Sequence, residues 1–317
     1  MESAHSDNAK PATDFEQNLI SRIAWEAVAE QRRARRWGIF FKFFFAGYLV
    51  LFLLLYLPVD WQGVAITGEK HTALVDIEGV IGAETEANAD YIVSGLRAAF
   101  EDKNTAGIIL RINSPGGSPV QAGYVNDEIK RLRDLYPDIP LYAVITDICA
   151  SGGYYIAAAA EKIYANKASV VGSIGVIMSG FGFVDTIHKL GIERRLITAG
   201  ESKGFLDPFS PLKSEDVEHI DGVINEVYQQ FIDVVKTGRG DRLKDDDKIF
   251  SGLIWSGEQS IDLGLVDALG SAGYVARDVI GAEDIVDYTR RDTYFDRFAK
   301  QLGTAVASAL SSQLELR

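Results

Sequence analysis

From Thr72 onward, short apolar runs alternate with amphipathic stretches, and this alternation limits the folds open to the chain more than any other feature. "TALVDIEGVIG" (72–82), "AGIILRINS" (106–114) and "LYAVITDI" (141–148) read as strands. Between them, "YIVSGLRAAFED" (91–102) and "VQAGYVNDEIKRLRDL" (120–135) carry helical spacing, and an apolar, alanine-rich helix follows Ser151. Strands and helices in this order predict an α/β fold with a mostly parallel sheet and crossover helices. Such sheets place their sites at the carboxyl ends of the strands. Ser214–Lys236 forms a longer amphipathic helix, with Glu215 and Asp216 in its first turn. Val217, Ile220, Ile224, Val227, Phe231 and Val234 share one of its faces, and Gly238 is placed to end it. "YFDRFAKQLGTAVASALSSQLELR" at the C-terminus has the spacing of one more amphipathic helix.

"WGIFFKFFFAGYLVLFLLLYL", Trp37 to Leu57, breaks the soluble pattern, since Lys42 is its only charge in 21 residues. That length spans a bilayer, and helices inside soluble domains seldom carry apolar residues on every face. The run is preceded by 36 residues and followed by "PVDWQG", without a small-x-small cleavage pattern, so the reading is an uncleaved transmembrane anchor. Arg32, Arg33, Arg35 and Arg36 crowd its N-terminal side, and Lys70 is the first basic residue beyond it. The N-terminus is therefore expected on the cytoplasmic side and everything after Leu57 on the exported side. The expected organisation is a cytoplasmic segment (1–36), the anchor (37–57), a linker (58–71), a catalytic domain (72–273) and a C-terminal extension (274–317).

Composition narrows the function. A net charge of −13 disfavours nucleic acid, because an acidic surface repels phosphate. The one cysteine, Cys149, excludes an internal disulfide and a cysteine-based zinc site, and its apolar setting suits a small buried side chain. No motif calls for a cofactor or a metal.

Two stretches end neighbouring strands on the same rim, "INSPGGS" (Ile112–Ser118) and "ASGGYY" (Ala150–Tyr155). Ser151 in the second is either an N-cap or a nucleophile at the mouth of a helix. Pro115, Gly116 and Gly117 form either a plain tight turn or a set of main-chain N–H groups that approach a substrate closely. Beside a serine at a helix N-terminus, such donors suit the oxyanion of acyl transfer. A serine needs a base, and the four histidines are poorly placed: His5 precedes the apolar run, His71 stands at the threshold of the expected exported domain, His188 has the setting of an exposed helical residue and His219 is within the long helix. A lysine can serve where burial favours its neutral form. Lys162, Lys167, Lys189, Lys203 and Lys213 are all on the expected exported side, and the residues alone do not choose among them.

"NSPGGS", "ASGGYYIA", "GSIGVI" (Gly172–Ile177) and "IDLGLVDALG" (Ile261–Gly270), in this order, resemble the signal peptide peptidase A family of membrane-anchored serine proteases. The first two motifs are also similar to the wider caseinolytic protease and crotonase group. The resemblance runs from about Thr72 to Gly273 and is to the short form of the family, with one catalytic domain. It implies a serine/lysine dyad with Ser151 as nucleophile and Lys203, in "TAGESKGFLDPFSP", as base. Gly117 and Gly152 would supply the oxyanion-hole N–H groups, and Ser173 would orient the lysine amine. Remnant signal peptides would be the substrates. In tandem relatives the serine and the lysine come from different repeats, so the short form is expected to be a homo-oligomeric ring in which Ser151 of one chain meets Lys203 of the next. One departure is Ser202, where relatives often carry an aromatic residue or histidine. Two other readings stay open: a crotonase-like acyl-transfer or hydratase enzyme, and a catalytically silent membrane scaffold.

Overall fold

The computed structural model describes residues 14–56 and 69–291, with side chains described over 22–52 and 69–291. The chain divides into two compact units, Met1–Trp61 and Gln62–Arg317. Among its described residues the first contains one helix, α1 (Asp14–Tyr56), of 43 residues. The later part of the expected cytoplasmic segment and nearly all of the expected anchor are thus one element, since no proline interrupts the chain between Pro11 and Pro58. The anchor's last residues, Leu53–Leu57, lie outside the residues with described side chains. Among the described residues, no helix is long and apolar enough to cross a membrane.

The second unit is α/β. Its strands are β1 (His71–Glu78), β2 (Thr105–Ser114), β3 (Leu141–Ala150), β4 (Lys162–Ala165), β5 (Val170–Gly172), β6 (Ile254–Ser256), β7 (Ala268–Leu269) and β8 (Ile285–Asp287). The helices are α2 (Ala89–Glu101), α3 (Pro119–Leu135), α4 (Gly152–Ala157), α5 (Val184–Lys189), α6 (Ser214–Arg239) and α7 (Gly257–Asp262). The strands run in the order β6-β5-β3-β2-β1-β8, with β4 on β3 and β7 on β4. Every pairing is parallel except β5 with β6. The central strands are buried on both faces, which explains their continuous apolar sequences.

One irregularity positions the site. Ile112 pairs with Ile145, but the next pair is Ser114 with Cys149, so Asn113 faces three residues of β3. At this bulge β3 exchanges neighbours: Tyr142–Ile145 pair with β4, and Ile148–Ala150 pair with β5. The carboxyl end of β3 is thereby carried out of the main sheet.

Several boundaries depart from the sequence reading. β1 stops at Glu78 because Gly79 turns the chain at φ 83°, and only Ile81 returns to bridge Gly117. α4 ends at Ala157 after six residues; Glu161 N–H then donates to the Leu141 carbonyl and draws the chain into β4. α6 runs through Gly238 to Arg239 and is capped by Gly240 at φ 53°. A Cβ on Gly238 would stand 2.0 Å from the Ala158 carbonyl oxygen, so this glycine allows close packing on the end of α4 and does not terminate the helix. The apolar face of α6 is buried only at its C-terminal end, at Phe231, Ile232 and Val235, while Val217 is exposed. The sheet also passes the boundary expected at residue 273, since β8 pairs with β1. Three residues of strand leave no periodic trace. The expected C-terminal helix (294–317), most of the linker and residues 1–13 lie outside the described residues.

Candidate active site

Ser151 joins β3 to α4 with φ 50° and ψ −122°, and its side chain makes no capping hydrogen bond. Its N–H donates to the Gly172 carbonyl at 2.8 Å, and its carbonyl accepts from Tyr155 N–H at 2.9 Å. A non-glycine residue at positive φ costs about 1–3 kcal/mol and persists only where its surroundings hold it. The N-cap reading of Ser151 therefore fails, and the hydroxyl stays free. Ala150 pairs with Gly172, so Ser173 follows the same register step on the adjacent strand. Ser173 also has φ 50°, and its N–H donates to the Leu253 carbonyl at 2.7 Å.

The Pro-Gly-Gly turn lies over the Ser151–Gly152 peptide. Gly116 (φ 101°) and Gly117 (φ 149°) both adopt the conformations that glycine alone takes easily. A Cβ on Gly116 would stand 2.7 Å from both Gly152 N and Ser151 Cβ, and one on Gly117 would stand 2.0 Å from the Ile81 carbonyl oxygen. Three hydrogen bonds fix the turn. Gly116 N–H donates to Ser114 Oγ at 3.1 Å, Ile81 N–H donates to the Gly116 carbonyl at 2.9 Å, and Ser118 N–H donates to the Ile81 carbonyl at 2.8 Å. Neither Gly117 N–H nor Gly152 N–H has an acceptor among the described residues. The two donors are neighbours, since a Cβ on Gly152 would stand 3.3 Å from Gly117 N.

Ser151, Gly117 and Gly152 open onto one cleft of 240 Å³, which extends along Gly175–Ile177. Its other walls include Val120 of α3, Tyr155 of α4, and Val227 and Phe231 of α6. Sequence reasoning did not name these walls, because they come from separate elements and only the fold collects them. Val227 and Phe231 had been visible only as part of a helical apolar face.

Lys203 is not brought to this cleft within the chain. It is exposed on the turn of residues 201–206, its N–H donating to the Gly200 carbonyl at 3.2 Å. Lys162, Lys167, Lys189 and Lys213 are exposed too, and none lines the cleft. His188 and His219 are exposed, His71 is buried against Tyr288 at 3.0 Å, and His5 lies outside the described residues. Burial pushes the Cys149 thiol far up, which leaves it a packing residue.

The fold and site together define a mostly parallel α/β protein with a strained serine at a helix mouth, two N–H donors without an acceptor among the described residues and an apolar cleft. That layout suits acyl transfer. Residues 133–284 match peptidase family S49. A Synechocystis protein named as a protease is 32% identical over 202 residues, 64% of this chain and 70% of that protein. The chain belongs to peptidase family S49. It is also similar to protease 4 of Haemophilus influenzae, with 32% identity over 246 residues, 76% of this chain and 39% of that protein. A Brucella abortus protein named Na(+)/H(+) antiporter NhaA is 43% identical over 188 residues, 59% of this chain, and the match spans 25% of that protein's length.

Proposed function

We propose that this chain is a membrane-anchored serine peptidase that cuts remnant signal peptides and other short apolar peptides on the exported side of a cytoplasmic membrane. Ser151 of one subunit acts with Lys203 of its neighbour. The observation that carries the reading is the uncapped, strained Ser151 beside the free N–H groups of Gly117 and Gly152. Ser151 Oγ attacks the scissile carbonyl carbon while Lys203 Nζ takes the hydroxyl proton. The oxyanion is held by Gly117 N–H and Gly152 N–H. Lysine then returns the proton to the leaving amine as the C–N bond breaks, and water releases the acyl group by the reverse sequence. The apolar cleft favours substrates with aliphatic or small side chains.

Assembly supplies what the single chain lacks. Residues 177–212 carry Ile177, Phe181, Leu190, Ile197 and Leu212 on the surface, with Ile197 96% exposed. So much apolar surface on one segment marks an interface, and a head-to-tail contact that closes into a ring buries it and brings Lys203 to a neighbour's Ser151. In this reading Ser173, one residue beyond the Ala150–Gly172 pair, orients that amine. The anchor is supported by α1, whose Trp37, Phe41, Phe43, Phe45 and Leu49 are exposed around the helix and need lipid or protein to cover them.

The test is complementation between full-length proteins in detergent. Ser151→Ala and Lys203→Ala are each inactive alone, and mixing them under verified subunit exchange restores part of the peptidase activity. A fluorophosphonate adduct, read by intact mass, forms on Ser151 in the wild type only. Labelling that persists in Lys203→Ala, or exchange without recovery, refutes the shared dyad. Association with membranes that survives carbonate extraction checks the anchor.

A further inference from the structure

We infer that Ser114 is a positioning residue for the oxyanion pocket: its buried hydroxyl holds the Gly116 N–H and so aims the Gly117 N–H at the substrate. The inference rests on the reading of Ser151 as nucleophile. Ser114 is the last residue of β2 and is fully buried, where a hydroxyl requires a partner. That partner is Gly116 N–H, at 3.1 Å.

The geometry explains what the bond does. A trans peptide points its C=O and N–H in opposite directions. The Gly116 carbonyl is fixed on Ile81 N–H, so the Gly117 N–H of the same peptide points away from Ile81, towards the cleft that Gly117 lines. The bonds to Ile81 restrain this peptide from downstream and the bond to Ser114 restrains it from upstream. Between them stand two glycines whose backbones have no preference of their own for this conformation. Of the three bonds only the Ser114 bond uses a side chain. Ser114 also touches the nucleophile's helix: a Cβ on Gly153 would stand 3.1 Å from the Ser114 carbonyl oxygen and 3.4 Å from its Cβ. One residue thus sets the turn that carries one donor against the helix that carries the other.

The test compares wild type, Ser114→Ala and Ser114→Cys as full-length proteins in detergent. Ser114→Cys keeps the shape and weakens the acceptor. For Ser114→Ala, kcat on an apolar fluorogenic peptide falls about 10- to 100-fold with KM within about twofold, because a misaimed donor is missed chiefly in the transition state. Affinity for a peptide boronic acid, which forms a tetrahedral adduct on Ser151, falls by the same factor as kcat/KM. Ser114→Cys lies between. Unchanged kcat in folded Ser114→Ala overturns the inference, as does a loss carried by KM. If Ser114→Ala does not fold, Ser114→Cys decides: reduced kcat at constant KM supports the role and wild-type kcat overturns it. A wild type that neither hydrolyses peptides nor labels on Ser151 overturns the peptidase reading and this one with it, whereas an active wild type with an indifferent Ser114 overturns this one alone.

Discussion

The main-chain N–H of Ser151 donates to the carbonyl of Gly172 at 2.8 Å, so the backbone of the proposed nucleophile is tied to the neighbouring strand. Gly172 has φ 111°, and a Cβ there would stand 3.0 Å from the Leu253 carbonyl oxygen and 3.1 Å from Trp255 Cδ1. Gly172→Ala is expected to destabilise the protein by about 1–3 kcal/mol and to lower kcat through displacement of Ser151. Urea unfolding and peptide turnover measure the two effects. Wild-type turnover in this variant would show that the bond does not hold Ser151 in place.

Gly117→Ala is the sharper test of the oxyanion turn. Its Cβ would meet the Ile81 carbonyl oxygen at 2.0 Å, a contact that forces the turn to move. Loss of one oxyanion donor costs about 10²–10³ in kcat in acyl-transfer enzymes, and a loss of that order is expected here. The check is kcat in samples whose circular dichroism matches wild type. A loss of less than tenfold contradicts the role of the Gly117 N–H.

The parts of this site that sequence exposes are those written in contiguous residues. "INSPGGS" and "ASGGYY" name the turn and the serine because glycine and serine at strand ends restrict local geometry directly. Whether Ser151 capped its helix was not legible, since capping depends on its φ of 50° and the bond to Gly172, which comes from another strand. Ser114 stands within the first motif but carries no sequence signal of its role, because its partner is a main-chain N–H two residues away. β7 and β8 are two and three residues long and hold their places only by pairing with β4 and β1. Arg239 was hidden for a related reason. At the end of an amphipathic helix an arginine reads as solvated, yet this one is buried.

A carboxylate between two helices gives a pH signature. Glu128 of α3 accepts from Arg131 at 2.8 Å and from Arg97 of α2 at 2.6 Å. The hydrogen bond from Arg131, then that from Arg97, outweighs burial and lowers the Glu128 pKa to about 2 from an ordinary 4.5. A lowered folded-state pKa contributes stability that is fully present above the ordinary value and is lost as pH falls through the folded one. The wild type should therefore lose this contribution between about pH 4.5 and about pH 2, while Glu128→Gln lacks it throughout. Urea midpoints from pH 7 to pH 2.5 measure the difference, which narrows towards the acid end. A gap that does not depend on pH would contradict the assignment.

The buried Arg239 secures the end of α6 against the strand region after α7. Its Nε donates to the Gly264 carbonyl at 2.8 Å and its Nη1 to Asp267 at 2.8 Å, while Ile163 N–H donates to the same carboxylate at 2.7 Å. Burial alone would raise the Asp267 pKa, but the hydrogen bond and charge of Arg239, with Ile163 N–H and Arg242, hold it below the usual carboxylate value. Removing one member of a buried pair leaves the other uncompensated, at a cost of about 3–5 kcal/mol. Asp267→Asn, which strands the buried Arg239, should fall in that range at pH 7, and Arg239→Met below it, because Asp267 keeps Arg242 at 3.2 Å and the Ile163 N–H at 2.7 Å. The double variant should cost much less than their sum, because it leaves no isolated charge in the interior. α6 also carries Val227 and Phe231 to the cleft, and Gly238 packs it on the end of the helix that begins after Ser151. The single variants should therefore lose turnover at temperatures where they remain folded, with KM for apolar peptides rising as Phe231 shifts. Urea unfolding of the four proteins, with KM measured below each midpoint, provides the test. Additive stability losses would show that the pair is not coupled, and unchanged KM would show that the α6 anchor does not set the cleft.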